Sequence, residues 1–197
     1  MLKKLLIIGG SGFVGTNLIK YLPADWIKFC TFNSNPIISP NLQSFKINLL
    51  DDPKEIVSLI QNIKPDYIIH TVAFPSVDYC EEKPTIADKL HVDTTKIIAN
   101  TAVEINSKLL FLSTDAVFEG QINKKYLETD IPNPVNHYGL TKLKAEKIVL
   151  ESSDNNVVLR TAVIYGKNSK SRFTNWILSY LKENKQVDPF IDQYNSP

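Results

Sequence analysis

Leu5-Leu6-Ile7-Ile8 runs without a polar residue straight into Gly9-Gly10-Ser11-Gly12-Phe13-Val14-Gly15. No other stretch restricts the fold as much. A short apolar run stopped by glycine fits a strand buried on both faces of a parallel sheet. The chain has seven glycines, and four of them fall within the seven positions 9–15. Gly9, Gly12 and Gly15 stand three apart. That spacing lets a strand turn tightly, lets a pyrophosphate approach the backbone, and lets the next helix pack close. Apolar residues at Phe13, Val14, Leu18, Ile19 and Leu22 then recur with helical spacing as far as Pro23. Strand, glycine turn and helix in this order predict a dinucleotide site at Gly9, Gly12, Phe13, Val14 and Gly15. A phosphate loop of the Walker type is excluded, because no Gly-Lys-Ser/Thr follows.

The alternation continues along the chain. Strand patterns are expected over residues 26–32, 45–49, 67–71, 109–113 and 157–159, and helices over 53–63, 85–105 and 173–181. Asn136 is placed to cap a further helix that carries Tyr138. Pro53 can open its helix, since a first turn tolerates proline. Strands alternating with helices, without a repeat, predict an α/β fold with a doubly wound parallel sheet, the Rossmann arrangement. Ligands of such a sheet sit beyond the carboxyl ends of its strands, where Asn33, Ser34, Asn48, Ala73 and Thr114 all fall.

With 197 residues there is room for one full domain, or a domain and part of a second. A net charge of +1 gives no electrostatic reason to expect nucleic acid or an anionic membrane as partner. Two cysteines, Cys30 and Cys80, cannot form a disulfide framework or a four-cysteine zinc site, so a cytoplasmic setting is the expectation. The apolar stretch after Lys3-Lys4 is too short for a secretory leader, and no window approaches a membrane span.

Tyr138 and Lys142 lie one helical turn apart, on one face. A free phenol titrates near ~10, and a neighbouring ammonium would lower it and equip it for proton transfer. Thr114, at a strand end, would hold the substrate oxygen against Tyr138. The spacing alone means little, since Tyr79 and Lys83 repeat it. That pair, with Glu81-Glu82, is read as loop. Asn33-Ser34, where a carboxylate would favour NAD, tilts the cofactor toward NADP. His70 and His91 have no partner at metal-ligand spacing and are read as structural, with no metal site expected. His137 adjoins Tyr138 but points about a hundred degrees away on a helix.

These motifs resemble the extended short-chain dehydrogenase/reductase superfamily, most closely its dTDP-4-dehydrorhamnose reductase branch. The similarity is carried by Pro65-Asp66-Tyr67-Ile68-Ile69-His70, Ala73-Phe74-Pro75-Ser76-Val77-Asp78, Ser113-Thr114-Asp115-Ala116-Val117-Phe118-Glu119-Gly120, Tyr138-Gly139-Leu140-Thr141-Lys142 and Arg160-Thr161-Ala162-Val163-Ile164-Tyr165-Gly166, and by Asp192-Gln193-Tyr194-Asn195-Ser196-Pro197. The resemblance implies Thr114, Tyr138 and Lys142 as the catalytic set. It also puts Asn48, Leu49, Thr71, Val72 and Ala73 around an NAD or NADP cofactor, with a nucleotide-sugar substrate and reduction of its 4-keto group. A homodimer is compatible with it. Residues 1–166 are expected to form the cofactor domain and 167–197 the start of a substrate lobe, which looks truncated because family chains run on. Ala116 and Val163 stand where the family has an aromatic and often a tryptophan, Asn48 where it has an acid, and His91 where it has an asparagine, a change expected to alter the backbone near the catalytic strand. A nucleotide-sugar epimerase or dehydratase, and a non-catalytic regulatory subunit like that of methionine adenosyltransferase, remain alternatives.

Overall fold

The computed structural model describes residues 2–166 and 172–186. Six parallel strands form one sheet: β1 (Lys4–Ile8), β2 (Ile27–Phe32), β3 (Leu42–Lys46), β4 (Tyr67–His70), β5 (Lys108–Thr114) and β6 (Val157–Thr161). Their order is β3-β2-β1-β4-β5-β6, the doubly wound arrangement. The chain leaves β1 in one direction and returns to the far side at β4, so a crevice opens above β1 and β4, where the glycine turn lies. The registers Ile7↔Cys30 and Ile8↔His70 bring the ends of β1, β2 and β4 to one level.

Helices cover both faces. Helix α1 (Phe13–Tyr21) packs Ile19 against Leu5, Ile7 and Cys30 on one side. On the other, α2 (Pro53–Ile63), α5 (Thr94–Glu104) and α6 (His137–Ser152) bury Ile56, Ile60, Ile98, Ala102, Ala145 and Val149 against Leu6, Ile8, Ile68 and Phe111. The wholly apolar run of β1 is thereby explained, because alternate residues serve the two clusters. Asp52 caps α2 through the Lys54 N–H at 2.8 Å, and Pro53 occupies its first position.

The remaining helices depart from expectation. The expected helix over 85–105 is a series: α3 (Val77–Glu82), α4 (Pro84–Asp88), a π-helical turn (Lys89–Asp93), then α5. Pro84 divides α3 from α4, since a residue before proline is driven out of the helical region and Lys83 sits at φ −128°, ψ 59°. The loop assigned to Tyr79, Lys83 and Glu81-Glu82 is therefore corrected to helix as far as Glu82, capped by Ser76 on the Tyr79 N–H. Strand β3 lies three residues upstream of the expected 45–49. Pairing with β2 runs from Leu42 to Lys46, and beyond it the Asn48 side chain accepts the Leu50 N–H at 3.2 Å in a turn that ends the strand. Among the described residues the last helix is α7 (Arg172–Lys182), after β6. The Asp192 to Pro197 string lies outside the described residues.

Candidate active site

The glycine turn is shaped by close approach. Gly9 has φ +90°, and a Cβ there would meet Val72 Cγ2 at 2.7 Å and Thr71 Oγ1 at 2.8 Å. A Cβ on Gly15 would lie 2.5 Å from the Gly9 oxygen, so α1 can start this near β1 only without a side chain. Two threonines lock the turn: Gly9 N–H donates to Thr31 Oγ1 at 3.0 Å, and Thr71 Oγ1 donates to the Ile8 carbonyl at 3.0 Å. Gly12 is the N-cap of α1 and carries no capping side chain, which leaves first-turn N–H groups without intrahelical acceptors. That is the donor set an anion needs.

Above the turn is a cleft of about 250 Å³. Gly9, Gly12, Asn33, Asn48, Leu49, Thr71, Val72 and Ala73 line it, drawn from the ends of four strands. Not every expected cofactor residue does. Phe13 and Val14 border a second cleft of about 290 Å³ with Ile164, Tyr165 and Gly166. Gly15 is buried behind the turn, and Ser34 is exposed beyond the cleft margin. The walls include Thr31 and Phe74, which the sequence reading did not single out.

Thr114 ends β5 and is buried. Its hydroxyl accepts the Ala116 N–H and donates to Asp115 Oδ1, both at 3.1 Å, and it stands near enough to the Tyr138 phenol to favour the charged form of that group. Tyr138 reaches this position because Asn136 caps α6 through the Gly139 N–H at 2.7 Å and because residue 139 is glycine: a Cβ there would stand 2.2 Å from the Ala116 oxygen. The carboxylate of Glu81, to which the sequence reading gave no role beyond a loop, accepts the His137 N–H and completes the N-terminus of α6. His137 pairs with Asp88 at 2.9 Å.

Lys142 overturns one expectation. Its side chain shares the helix face of Tyr138, but Nζ donates to the Leu112 carbonyl at 2.6 Å and lies 3.9 Å from the centre of the Phe111 ring. Only 2% of the residue is exposed. Burial pulls its pKa from 10.5 down to about 7, with Glu146 opposing. Burial likewise pushes the Tyr138 phenol above its ordinary value, with the Thr114 hydrogen bond opposing. The phenol lowered by an adjacent ammonium is thus not what this arrangement produces, because the ammonium is sunk toward β5. Glu146 is engaged elsewhere, held by Arg160 Nη2 at 2.7 Å and Nε at 3.0 Å.

His70 and His91 are both buried and structural in their bonding, as the sequence reading holds. His91 sits in the π turn and touches Phe74, Thr141 and Tyr138, an arrangement for which the sequence carried no signal beyond the residue itself. Among the described residues, no group of three or more His, Cys, Asp or Glu is gathered to hold a metal ion, and no helix is long and apolar enough to cross a membrane.

The family model of the RmlD substrate-binding domain matches residues 3–197. Methionine adenosyltransferase 2 subunit beta from Bos taurus is 36% identical over 167 residues, which are 84% of this chain and 48% of that protein. dTDP-4-dehydrorhamnose reductase from Escherichia coli (strain K12) is 30% identical over 163 residues, 80% of this chain and 54% of that one. The crystal structure of dTDP-4-dehydrorhamnose reductase from Bacillus anthracis in complex with NADP aligns with a TM-score of 0.80 at 27% identity, covering 95% of this chain and 62% of that chain. The chain therefore spans about half the length of these curated relatives.

Proposed function

The chain belongs to the RmlD substrate-binding domain family, and on that premise we propose that it binds NADP(H) or NAD(H) and serves the reduction of a 4-keto group on a nucleotide-activated deoxysugar. The observation that carries this reading is Thr114 at the end of β5 with Tyr138 of α6 as its neighbour, on the same carboxyl edge of the sheet as the cleft over the glycine turn, although neither residue lines that cleft. The cleft fits the cofactor chemically: backbone N–H groups at the start of α1 for a pyrophosphate, and apolar walls from Leu49 and Val72 for a ring. In the related Bacillus anthracis reductase the bound dinucleotide is NADP, and Asn33 offers no negative charge against a 2′-phosphate.

A reduced nicotinamide, when bound, supplies a hydride to the carbonyl carbon. This chain supplies the proton. Tyr138, kept protonated by its buried surroundings, donates to the developing alkoxide oxygen, and Thr114 holds that oxygen in place. Lys142 exchanges the Leu112 carbonyl for ribose hydroxyls in this reading. Residues 167–197 contribute to the substrate side, after the cofactor domain of residues 1–166.

Calorimetric titration with NADPH and NADH tests the proposal, and micromolar binding of at least one is expected. Gly12→Ala sets a methyl where the phosphate must approach, while only the Gly9 oxygen at 3.2 Å crowds it. Affinity is expected to fall roughly tenfold, about 1.4 kcal/mol, in a folded protein. A Gly12→Ala protein that binds normally removes the proposed site. A second reading is favoured by the 36% identity to methionine adenosyltransferase 2 subunit beta: a cofactor-binding subunit that regulates a partner. Dinucleotide binding with no turnover of any keto-sugar by the full-length protein would decide for it.

A further inference from the structure

We propose that His91 is a positioning residue: its imidazole ties the cleft wall at Phe74 to helix α6 at Thr141, and so holds Tyr138 against Thr114. The role of Tyr138 rests on the function proposed above; the tie itself rests on geometry. The Phe74 backbone N–H donates to His91 Nε2 at 2.8 Å. That nitrogen is therefore the unprotonated one, and a neutral ring carries its proton on Nδ1. Nδ1 lies 2.8 Å from Thr141 Oγ1 and donates to it. Thr141 spends its own proton on the Tyr138 carbonyl, also at 2.8 Å. Each donor finds one acceptor, in a single direction from the cleft wall to the catalytic helix.

Ring contacts run parallel to the bonds. The His91 ring lies 5.6 Å from that of Phe74, and meets Tyr138 edge-on at 5.7 Å and 84°. His91 is itself held from behind. Its carbonyl accepts the Thr95 hydroxyl at 2.6 Å, and that oxygen is 3.2 Å from His70 Nε2. His91 is 1% exposed and Thr141 fully buried, so water cannot substitute for either. The charged groups facing the ring are Lys142 and His137, which oppose its protonation, and Asp88, which favours it. Burial is the largest cause and, together with Lys142 and His137, outweighs Asp88 and draws the pKa to about 3, so the one-proton pattern holds throughout the neutral range. A π turn at Lys89–Asp93 delivers the side chain at this point; such turns insert an extra residue and are frequent at functional sites.

A residue that only fills space and one that positions Tyr138 predict different results. His91→Phe keeps the ring volume and removes both nitrogen bonds. Thr141→Val removes the middle link, and Thr141→Ser restores it. Tyr138 is followed by ultraviolet difference titration, each variant measured against the same variant carrying Tyr138→Phe, with folding checked by circular dichroism. His91→Phe and Thr141→Val are expected to admit water to the phenol and move its titration down by about half a unit or more, while Thr141→Ser titrates as the parent does. Affinity for NADPH is expected to fall about fivefold with the first two. A lowered melting temperature with an unmoved phenol titration makes His91 a packing residue and overturns the proposal. If His91→Phe does not fold, the Thr141 pair decides by the same criterion. A parent chain that binds neither NADPH nor NADH defeats the cofactor reading alone, since the phenol titration needs no ligand.

Discussion

At the scale of single residues, the tension lies between Tyr138 and Lys142, which share a helix face yet bond in different directions. Tyr138→Phe deletes the proposed proton donor and leaves the Thr114 hydroxyl in place. Turnover of the full-length enzyme is expected to fall by roughly 10²-fold or more, with dinucleotide affinity little changed. Steady-state kinetics beside calorimetry checks this, and near-normal turnover would rule out the phenol as acid. Lys142 carries a second, opposite expectation. Its pKa is about 7 when folded and 10.5 as a free side chain. Between those values the unfolded chain holds the extra proton, so this group makes stability rise with pH across that window. Lys142→Met should therefore raise the melting temperature at pH 7 and flatten the profile up to pH 10, while weakening dinucleotide binding. Thermal melts at several pH values read the first effect and calorimetry the second. A destabilised Lys142→Met protein would show that the bond to Leu112 outweighs the burial of the charge.

Among the elements, α6 has the most exacting seat. Its first turn is fastened by Asn136, by the Glu81 carboxylate and by the absence of a side chain at Gly139. Gly139→Ala improves helix propensity, which argues for a gain of about 0.5–1 kcal/mol. The 2.2 Å approach to the Ala116 oxygen and 3.0 Å to Pro134 Cβ argues the other way, and overpacking of this kind costs about 1–3 kcal/mol. The clash is backbone against a new methyl and cannot be relieved by a rotamer, so it wins. A lower melting temperature is expected together with a loss of turnover larger than the loss of dinucleotide affinity, since Tyr138 moves and the glycine turn does not. Stabilisation by Gly139→Ala would mean that α6 has room the geometry denies it. Helix α2 illustrates the opposite case: its bounds at Pro53 and Ile63 were legible in sequence, because both the cap and the apolar stripe are local to it.

For the whole molecule, two neutral histidines in the core set the response to acid. His70 and His91 both titrate at about 3, lowered from 6.5 chiefly by burial. Above pH 6.5 neither folded nor unfolded chain protonates them, and their contribution is complete. As pH falls from 6.5 toward 3 the unfolded state takes up protons that the folded state refuses, and stability is lost throughout that window. Chemical denaturation at pH 7 and pH 5 should give a lower midpoint at pH 5. His70→Leu should shrink the difference, because it removes one of the two imidazoles that only the unfolded chain protonates in this window. An unchanged pH slope in His70→Leu would place the acid sensitivity in the carboxylates instead.

Short-range physics made much of this protein readable. The apolar run before Gly9, the three-residue glycine spacing, the proline at Pro53 and the cap at Asn136 each act within a few positions, and each produced the expected strand, turn or helix start. The parallel doubly wound sheet followed from their alternation. The seating of side chains did not follow. Glu81 meets the N-terminus of α6 across 56 residues of sequence, His91 meets Thr141 across 50, and Lys142 meets Leu112 across 30. Periodicity fixes which face of a helix a side chain occupies, but not what lies opposite that face. The opposing group is chosen when two elements pack, by the volume left at a glycine and by the requirement that every buried donor find an acceptor. For that reason Tyr138 and Lys142 could be found as a pair in the sequence, and only the tertiary structure set one toward Thr114 and the other toward the core.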